Sequence, residues 1–193
     1  MHLTSRAPWA LAAVYAVVLG ACSADRGVPS APVDRPSLEV VSPARLAGAL
    51  TRPLPLAVDV VASQTIGSEG GSFGIPALGL RVIVPPKAVS APTNFSVRAL
   101  KGNVIAYDFS PHGTTFNVPL QVQHDLRTTT WYTLPDLTTL EAGYFSSLNQ
   151  VDFQKGEALI DEFLPVTADL KGAKVFKFQV HHFSGYLLST GRK

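Results

Sequence analysis

The sequence of 193 residues has almost no cysteine, since Cys22 carries its single thiol. One cysteine cannot form an intramolecular disulfide, so any domain in this chain is held together by its hydrophobic core. Charge is also sparse: charged residues make up 16% of the chain, and the formal net charge is +2. Because domains that bind nucleic acid usually present a strongly basic surface, we expect no nucleic-acid partner.

Motifs of the common catalytic and cofactor sites are missing as well. The one Gly-x-Ser-x-Gly pattern, Gly70 to Gly74, does not lead into a helical pattern as a nucleophile elbow must, and the chain contains no phosphate-binding loop or dinucleotide fingerprint. His112 and His124 have no second ligand at a metal-binding spacing, and we interpret them as exposed polar residues. We therefore expect no cofactor, no metal and no enzyme activity beyond the conditional self-cleavage described below.

The amino terminus has the layout of a secretory signal. Arg6 precedes an apolar run over residues 7–19, and small residues follow this run up to Cys22. The run is shorter than the roughly 20 apolar residues that a membrane-spanning helix needs. We predict that residues 1–21 form a signal peptide that is removed.

The signal segment ends with Leu19-Gly20-Ala21-Cys22. These four residues resemble the bacterial lipobox, in which the cysteine is lipidated and becomes the first residue of the mature chain. Several acyl chains on Cys22 would attach the protein stably to a membrane without crossing it. The resemblance implies a lipoprotein of the bacterial cell envelope, and Ser23 after the cysteine resembles the outer-membrane class.

Residues 22–55 are rich in proline and contain no Phe, Tyr or Trp. A segment of this composition cannot bury enough apolar surface to offset the entropy of ordering, so we predict a lipidated cysteine followed by a disordered tether. Residues 38–50 hold enough apolar side chains to form a short helix or to pack on the domain instead. All ten phenylalanines follow residue 55, which predicts one folded domain over residues 56–193.

Inside this domain the apolar pattern has a period of two. Residues 94–100 alternate strictly, and Phe176, Phe178 and Val180 share one face of another segment. Further strands are expected at residues 56–63, 79–84, 104–109, 118–123, 131–134, 143–147, 158–167 and 185–189. Many short strands separated by glycine and proline turns predict an all-β fold, namely an antiparallel β-sandwich.

Three groups of residues along this domain, taken in order, form a recognisable pattern. The first is Gly70-Gly71-Ser72-Phe73 followed by Gly79-Leu80-Arg81-Val82-Ile83-Val84-Pro85-Pro86, the second is Tyr107, Pro111, Gly113, Phe116, Asn117 and Pro119, and the third is His182-Phe183-Ser184-Gly185-Tyr186. Together they resemble the ZU-five domain, named for zonula occludens and the uncoordinated-five receptors, over residues 67–188. The resemblance implies a β-sandwich that acts as a protein-interaction or structural module, with a protein partner of unknown identity. Lys87 departs from the family, which usually has glycine after the paired prolines.

Two roles are open for His182, Phe183 and Ser184. In some ZU-five proteins this triplet breaks its own backbone, so the resemblance implies that Ser184 Oγ attacks the carbonyl of Phe183 in an N-to-O acyl shift. Water then hydrolyses the ester, and His182 orients the carbonyl or accepts the hydroxyl proton. In the structural alternative Phe183 fills the core, Ser184 and Gly185 form a bulge or kink, and His182 forms hydrogen bonds at the sheet surface.

A third function is suggested by the aromatic residues Trp131, Tyr132, Tyr144 and Phe145. An exposed row of such rings would form a carbohydrate-binding surface. Aromatic residues in strands are more often core residues or cross-strand pairs, so an exposed row is the observation that this alternative needs.

Overall fold

The structure is a computed structural model and describes residues 45–133 and 139–193. The predicted signal peptide, Cys22 and residues 23–44 of the predicted tether lie outside these ranges. The described residues form antiparallel strands joined by turns and single turns of 3-10 helix, and they contain no helix long and apolar enough to cross a membrane. The strands are β1 Arg45–Ala49, β2 Thr51–Leu56, β3 Val60–Ile66, β4 Gly71–Ile75, β5 Leu80–Val84, β6 Thr93–Ala99, β7 Gly102–Val104, β8 Ala106–Ser110, β9 Thr115–Asp125, β10 Glu141–Phe145, β11 Val151–Asp152, β12 Glu157–Ile160, β13 Glu162–Leu164, β14 Val166–Asp169, β15 Val175–His182 and β16 Gly185–Arg192.

The strands build two sheets and a small ribbon. The larger sheet has the order β11-β12-β1-β16-β8-β6-β3, with β10 beside β16 and β13 beside β10, and the smaller sheet has the order β14-β15-β9-β5-β4. Strands β2 and β7 form the separate ribbon. The sheets pack face to face, because Phe73 of β4 stacks on Phe95 of β6 with 5.6 Å between ring centres. The predicted antiparallel β-sandwich is confirmed.

The alternation in the sequence explains how the strands bury one face. In β15 the side chains of Phe176, Phe178 and Val180 are buried, while Gln179 between them is exposed. The strand pairs with β9 in a register that places Phe178 opposite Val122, which is also buried. Each buried phenylalanine contributes about 1.5–3 kcal/mol relative to an exposed one, so this face is what holds the smaller sheet against the larger one.

The chain passes from one sheet to the other between β15 and β16. Strand β15 belongs to the smaller sheet and β16 to the larger, and Phe183 with Ser184 forms the link. Ser184 lies at a bend. We call residues 182–185 the crossover.

Three predicted boundaries are corrected by the structure. Residues 45–55 of the predicted tether form β1 and most of β2, because Ala47 and Leu50 reach the core and β1 pairs with both β12 and β16. The strand predicted at residues 131–134 is a 3-10 turn over Trp131–Thr133, and residue 134 lies outside the described ranges. The long strand predicted at residues 158–167 is divided among β12, β13 and β14, since the chain changes sheets there.

Candidate functional site

Phe183 lies at the centre of the aromatic core, between the two sheets. Its side chain is 1% exposed, and its ring centre lies 4.9 Å from that of Phe116 and 5.3 Å from those of Phe95 and Phe109. Edge-to-face and offset pairs at these separations add about 0.5–1.5 kcal/mol each to the burial of the ring. The crossover is therefore anchored by its own aromatic side chain.

The backbone of the crossover is held by the segment that links β8 to β9. The amide of Phe183 donates to the carbonyl of Thr114 over 2.9 Å, and its carbonyl accepts from the amide of Gly113 over 3.2 Å. The carbonyl of Ser184 accepts from the amide of Phe109 over 3.0 Å. These hydrogen bonds satisfy the amide of Phe183 and the carbonyls of Phe183 and Ser184, as buried backbone requires.

Ser184 and Gly185 pack against the end of β10. The side chain of Ser184 is buried, and its hydroxyl donates to the carbonyl of Phe145 over 3.4 Å. A Cβ placed on Gly185 would lie 2.1 Å from a ring carbon of Phe145. Glycine is required at position 185 by this close approach, because no side chain fits beneath the Phe145 ring.

The ring of His182 lies against two tyrosines. Its ring meets that of Tyr144 edge to face at 5.0 Å, and the hydroxyl of Tyr186 donates to the carbonyl of His182 over 2.7 Å. Burial raises the pKa of Tyr186, so this hydroxyl stays a donor. Across residues 45–133 and 139–193 no hydrogen bond joins His182 to Ser184. In this arrangement the imidazole supports the sheet and does not contact the hydroxyl proton that it would have to accept.

Asp108 lies beside the crossover and has two side-chain partners. Asp108 is opposite Gly185 in the β8–β16 ladder, and its carboxylate accepts from Arg98 over 2.6 Å and contacts Nε2 of His112 at 2.7 Å. His112 is exposed, as predicted, but it does have a carboxylate partner, contrary to the interpretation from its spacing. Asp108 lies in β8 and His112 in the turn that follows, so a spacing of four residues does not by itself reveal this contact in the sequence. The described parts of the chain contain no group of three or more His, Cys, Asp or Glu side chains arranged to hold a metal.

His124 is buried, which corrects its prediction as an exposed residue. Its side chain is 1% exposed, and burial lowers its pKa to about 4, so the ring is neutral. Nδ1 lies 3.1 Å from the carbonyl of Asp125 and therefore carries the proton. Nε2 then accepts from the hydroxyl of Tyr107 over 2.7 Å, which joins β9 of the smaller sheet to β8 of the larger.

Arg52 completes this buried polar cluster and was not indicated by the sequence. The residue is 6% exposed, and Nη1 donates to three carbonyls at the β7 end of the sandwich, those of Val104, Gly102 and Leu100, over 2.7, 3.2 and 3.4 Å. Burial lowers the pKa of Arg52, and the nearby Tyr107 hydroxyl partly opposes that effect. Arg52 stands in the proline-rich residues 52–55, whose composition is that of a tether, so the pattern gave no reason to place it inside the core.

The four aromatic residues of the carbohydrate-binding alternative do not form one surface. Phe145 is 1% exposed, and Tyr144 packs against His182. The ring of Trp131 is half-buried and is covered by the ammonium of Lys174 at 5.3 Å, while Tyr132 is 67% exposed. An exposed aromatic row is therefore not found among the described residues.

Comparison with known proteins adds no further assignment. No family model matches the chain, and no curated protein matches its sequence. The ZU-five resemblance thus stays a prediction, carried by the order of the segments named above.

Proposed function

We propose that this chain is a lipid-anchored protein of the bacterial cell envelope, attached at the outer membrane through Cys22, that displays a ZU-five-like β-sandwich as a protein-interaction module. The signal segment and the lipobox-like residues support the anchor. The observation that carries the interaction role is the free edge formed by β3.

Strand β3 lacks the features that usually protect an edge strand from pairing with another chain. All seven of its residues pair with β6 on one side, and no strand covers its other side in the described ranges. The strand contains no charged residue and no proline, and Val61 is 61% exposed. Natural edges are commonly blocked by lysine, proline, bulges or short length, so an open edge of this kind is suited to accept a strand from a partner.

The other edge strands are less suited to accept a strand from a partner. Strands β11 and β13 have two and three residues, β14 has four and ends at Asp169, and β4 contains Gly74 at a φ of 150°. A partner strand would find fewer backbone groups in regular alignment on any of them.

Site-specific crosslinking in intact envelopes tests the interaction role. A photoreactive amino acid replaces Ser63, which is exposed in the middle of β3. We expect one defined protein adduct, whose yield falls when Val61→Lys is added and is unchanged when Val58→Lys is added, since Val58 is 67% exposed but lies outside the strand. Equal yields in the two variants, or no adduct at position 63, would contradict the proposal.

The anchor is tested separately with Cys22→Ser. We expect the parent chain to incorporate a labelled fatty acid and to fractionate with membranes, and the variant to lose both properties. A variant that is still labelled, or that still fractionates with membranes like the parent, would remove the lipid anchor from the proposal.

Self-processing at the Phe183–Ser184 bond is the second candidate function. It is supported by one contact: the amide of Gly113 donates to the Phe183 carbonyl, which is the atom that gains negative charge if Ser184 attacks. Mass spectrometry of the full chain under denaturing conditions tests it. Two fragments that join at residues 183 and 184 in the parent, and one intact mass in Ser184→Ala, would support self-processing; one intact mass in both proteins would eliminate it.

A further inference from the structure

The guanidinium of Arg52 has an edge without hydrogen-bond partners. Nη1 is occupied by backbone carbonyls, whereas Nε and Nη2 are closed to solvent and have no partner. The hydroxyl of Tyr107 lies near the guanidinium and partly offsets the effect of burial on its pKa. Neither Nε nor Nη2 has an acceptor in hydrogen-bonding geometry. Nε and Nη2 lie on one side of the planar guanidinium, and we call these two nitrogens the fork. Their spacing matches that of the two oxygens of a carboxylate.

A buried cation of this kind needs an anion. No carboxylate within residues 45–133 and 139–193 forms an ion pair with Arg52. The residue is nevertheless only 6% exposed. Removing a charge from water costs several kcal/mol unless it is paired and fully hydrogen-bonded. The backbone carbonyls satisfy one nitrogen of three, so the fork is the part of the cluster left for a ligand.

A pocket of about 310 Å³ adjoins this arginine, on the side of β2 that faces Leu78 and Thr128. Its wall is mostly apolar and includes Leu54, Leu56 and Leu78 together with two prolines. The volume is at the lower end of the range for small-ligand sites, which is about 300–1,000 Å³. A pocket that combines an apolar wall with one buried cation fits a small amphiphilic anion.

The segment that carries Arg52 is not paired along its whole length. In the β2–β7 ribbon Thr51 pairs with Val104 and Leu56 with Gly102, so residues 52–55 have no partner on β7. Leu54 in this arch is 80% exposed. An arch without ladder hydrogen bonds can shift at low cost, and a shift of this kind is what a ligand in the pocket needs to reach the fork.

We propose that this pocket binds an aliphatic monocarboxylate, with the carboxylate held by Nε and Nη2 of Arg52 and the alkyl chain packed against Leu54, Leu56 and Leu78. The site is independent of the β3 edge and of the membrane anchor. The bound carboxylate lies next to the Tyr107–His124 pair, so binding also changes the surroundings of the His124 ring.

Hexanoate is the probe, titrated by calorimetry into the full chain, with the same titration into buffer as the blank. We expect one saturable site at millimolar or lower concentration. Hexanol and hexylamine, which lack the carboxylate, are expected to bind at least about tenfold more weakly, since a charge-assisted bidentate pair is lost. Acetate is expected to bind more weakly than hexanoate because it lacks the apolar chain.

Two variants separate the fork from the surrounding charge. Arg52→Met keeps the apolar volume and is expected to lose at least about tenfold in affinity, and Arg52→Lys, which keeps the charge without the fork, is also expected to bind more weakly. Arg127→Gln is the matched control, because Arg127 lies beside Thr128 but is already paired with Asp125 at 2.6 Å. Its affinity is expected to be unchanged.

Nuclear magnetic resonance of the parent protein gives a readout that does not depend on any variant folding. Saturating hexanoate is expected to shift the imidazole resonances of His124 and to leave those of the exposed His181 unchanged. No saturable binding by the parent, equal binding of hexanol, equal affinity in Arg52→Met, or no shift at His124 would each overturn the proposal.

Discussion

The hydroxyl of Tyr107 donates to Nε2 of His124 over 2.7 Å, and this hydrogen bond joins the two sheets inside the core. Both side chains are at most 1% exposed. A buried pair of this kind is stable only while the imidazole is neutral, because a protonated Nε2 would no longer accept the hydroxyl proton. The pair therefore makes the stability of the sandwich depend on pH.

The pH dependence has a definite sign. Burial lowers the pKa of His124 from 6.5 to about 4. Between these two pH values the unfolded chain binds a proton on the His124 ring and the folded chain does not. The contribution of the neutral ring is complete above pH 6.5 and is lost as the pH falls toward 4, by about 3 kcal/mol in the free energy of unfolding. Urea unfolding of the parent and of His124→Gln at neutral pH and near pH 4 measures it. A difference between the two proteins that does not change with pH would contradict the buried neutral histidine.

Phe183 is expected to be the side chain of the crossover on which stability depends most. Phe183→Ala removes a fully buried ring that contacts four other aromatic rings, and we expect the free energy of unfolding to fall by about 3–5 kcal/mol. Ser184→Ala removes one long hydrogen bond and is expected to cost about 1 kcal/mol or less. Chemical unfolding measures both values. Similar losses in the two variants would show that the ring does not anchor the link.

Gly185 is expected to tolerate no side chain while Phe145 keeps its position. Gly185→Ala places a methyl group 2.1 Å from the Phe145 ring, so we expect a loss of about 1–3 kcal/mol. The loss is expected to be smaller when the change is made in a Phe145→Leu background, because the shorter side chain leaves room. Gly71→Ala is the control, since the nearest atom to its added methyl lies at 3.4 Å. Additive effects of the two changes in a double-mutant cycle would argue against this contact.

Lys87 holds a backbone conformation that glycine prefers. Its φ is 66°, in the left-handed region that costs a side-chain-bearing residue about 1–2 kcal/mol. Glycine relieves this strain but adds about 0.5–1 kcal/mol of chain entropy to the unfolded state, so we expect Lys87→Gly to raise the free energy of unfolding by up to about 1 kcal/mol. Lys177→Gly, in the regular strand β15, is the control and is expected to lower it by about 0.5–1 kcal/mol. A loss of stability in Lys87→Gly would contradict the strained turn.

The strands that the sequence predicts well are those with one buried face and one exposed face. Residues 94–100 and 174–180 alternate throughout, and they correspond to β6 and β15. Period-two patterning is a local property, so a strand of this kind is readable from its own residues. Residues 158–167 also look like one strand, but they form three, because nothing in local alternation tells which sheet a residue joins.

The same distinction applies to the candidate sites, where some features are readable from the local sequence and others are not. Of the two roles left open for the triplet, the structural one places Phe183 in the core and a kink at Ser184 and Gly185, and the structure has Phe183 buried and a bend at Ser184. The partners of these residues could not be expected, since Phe116 and Phe145 come from distant strands. Proline-rich composition likewise predicted a tether where β1 and β2 lie, because composition does not report the backbone pairs that a segment forms with the end of the chain.

The sequence alone establishes the all-β class, because side chains on an extended chain point alternately to two sides and the apolar ones follow that period. It also carried the lipobox-like cysteine, a linear motif that needs no fold to be recognised. Three properties become visible only in the fold: His124 is neutral and buried, Arg52 enters the core, and β3 is left as an open edge. These properties depend on which strands are neighbours, and the neighbours here are joined by contacts between residues far apart in the chain.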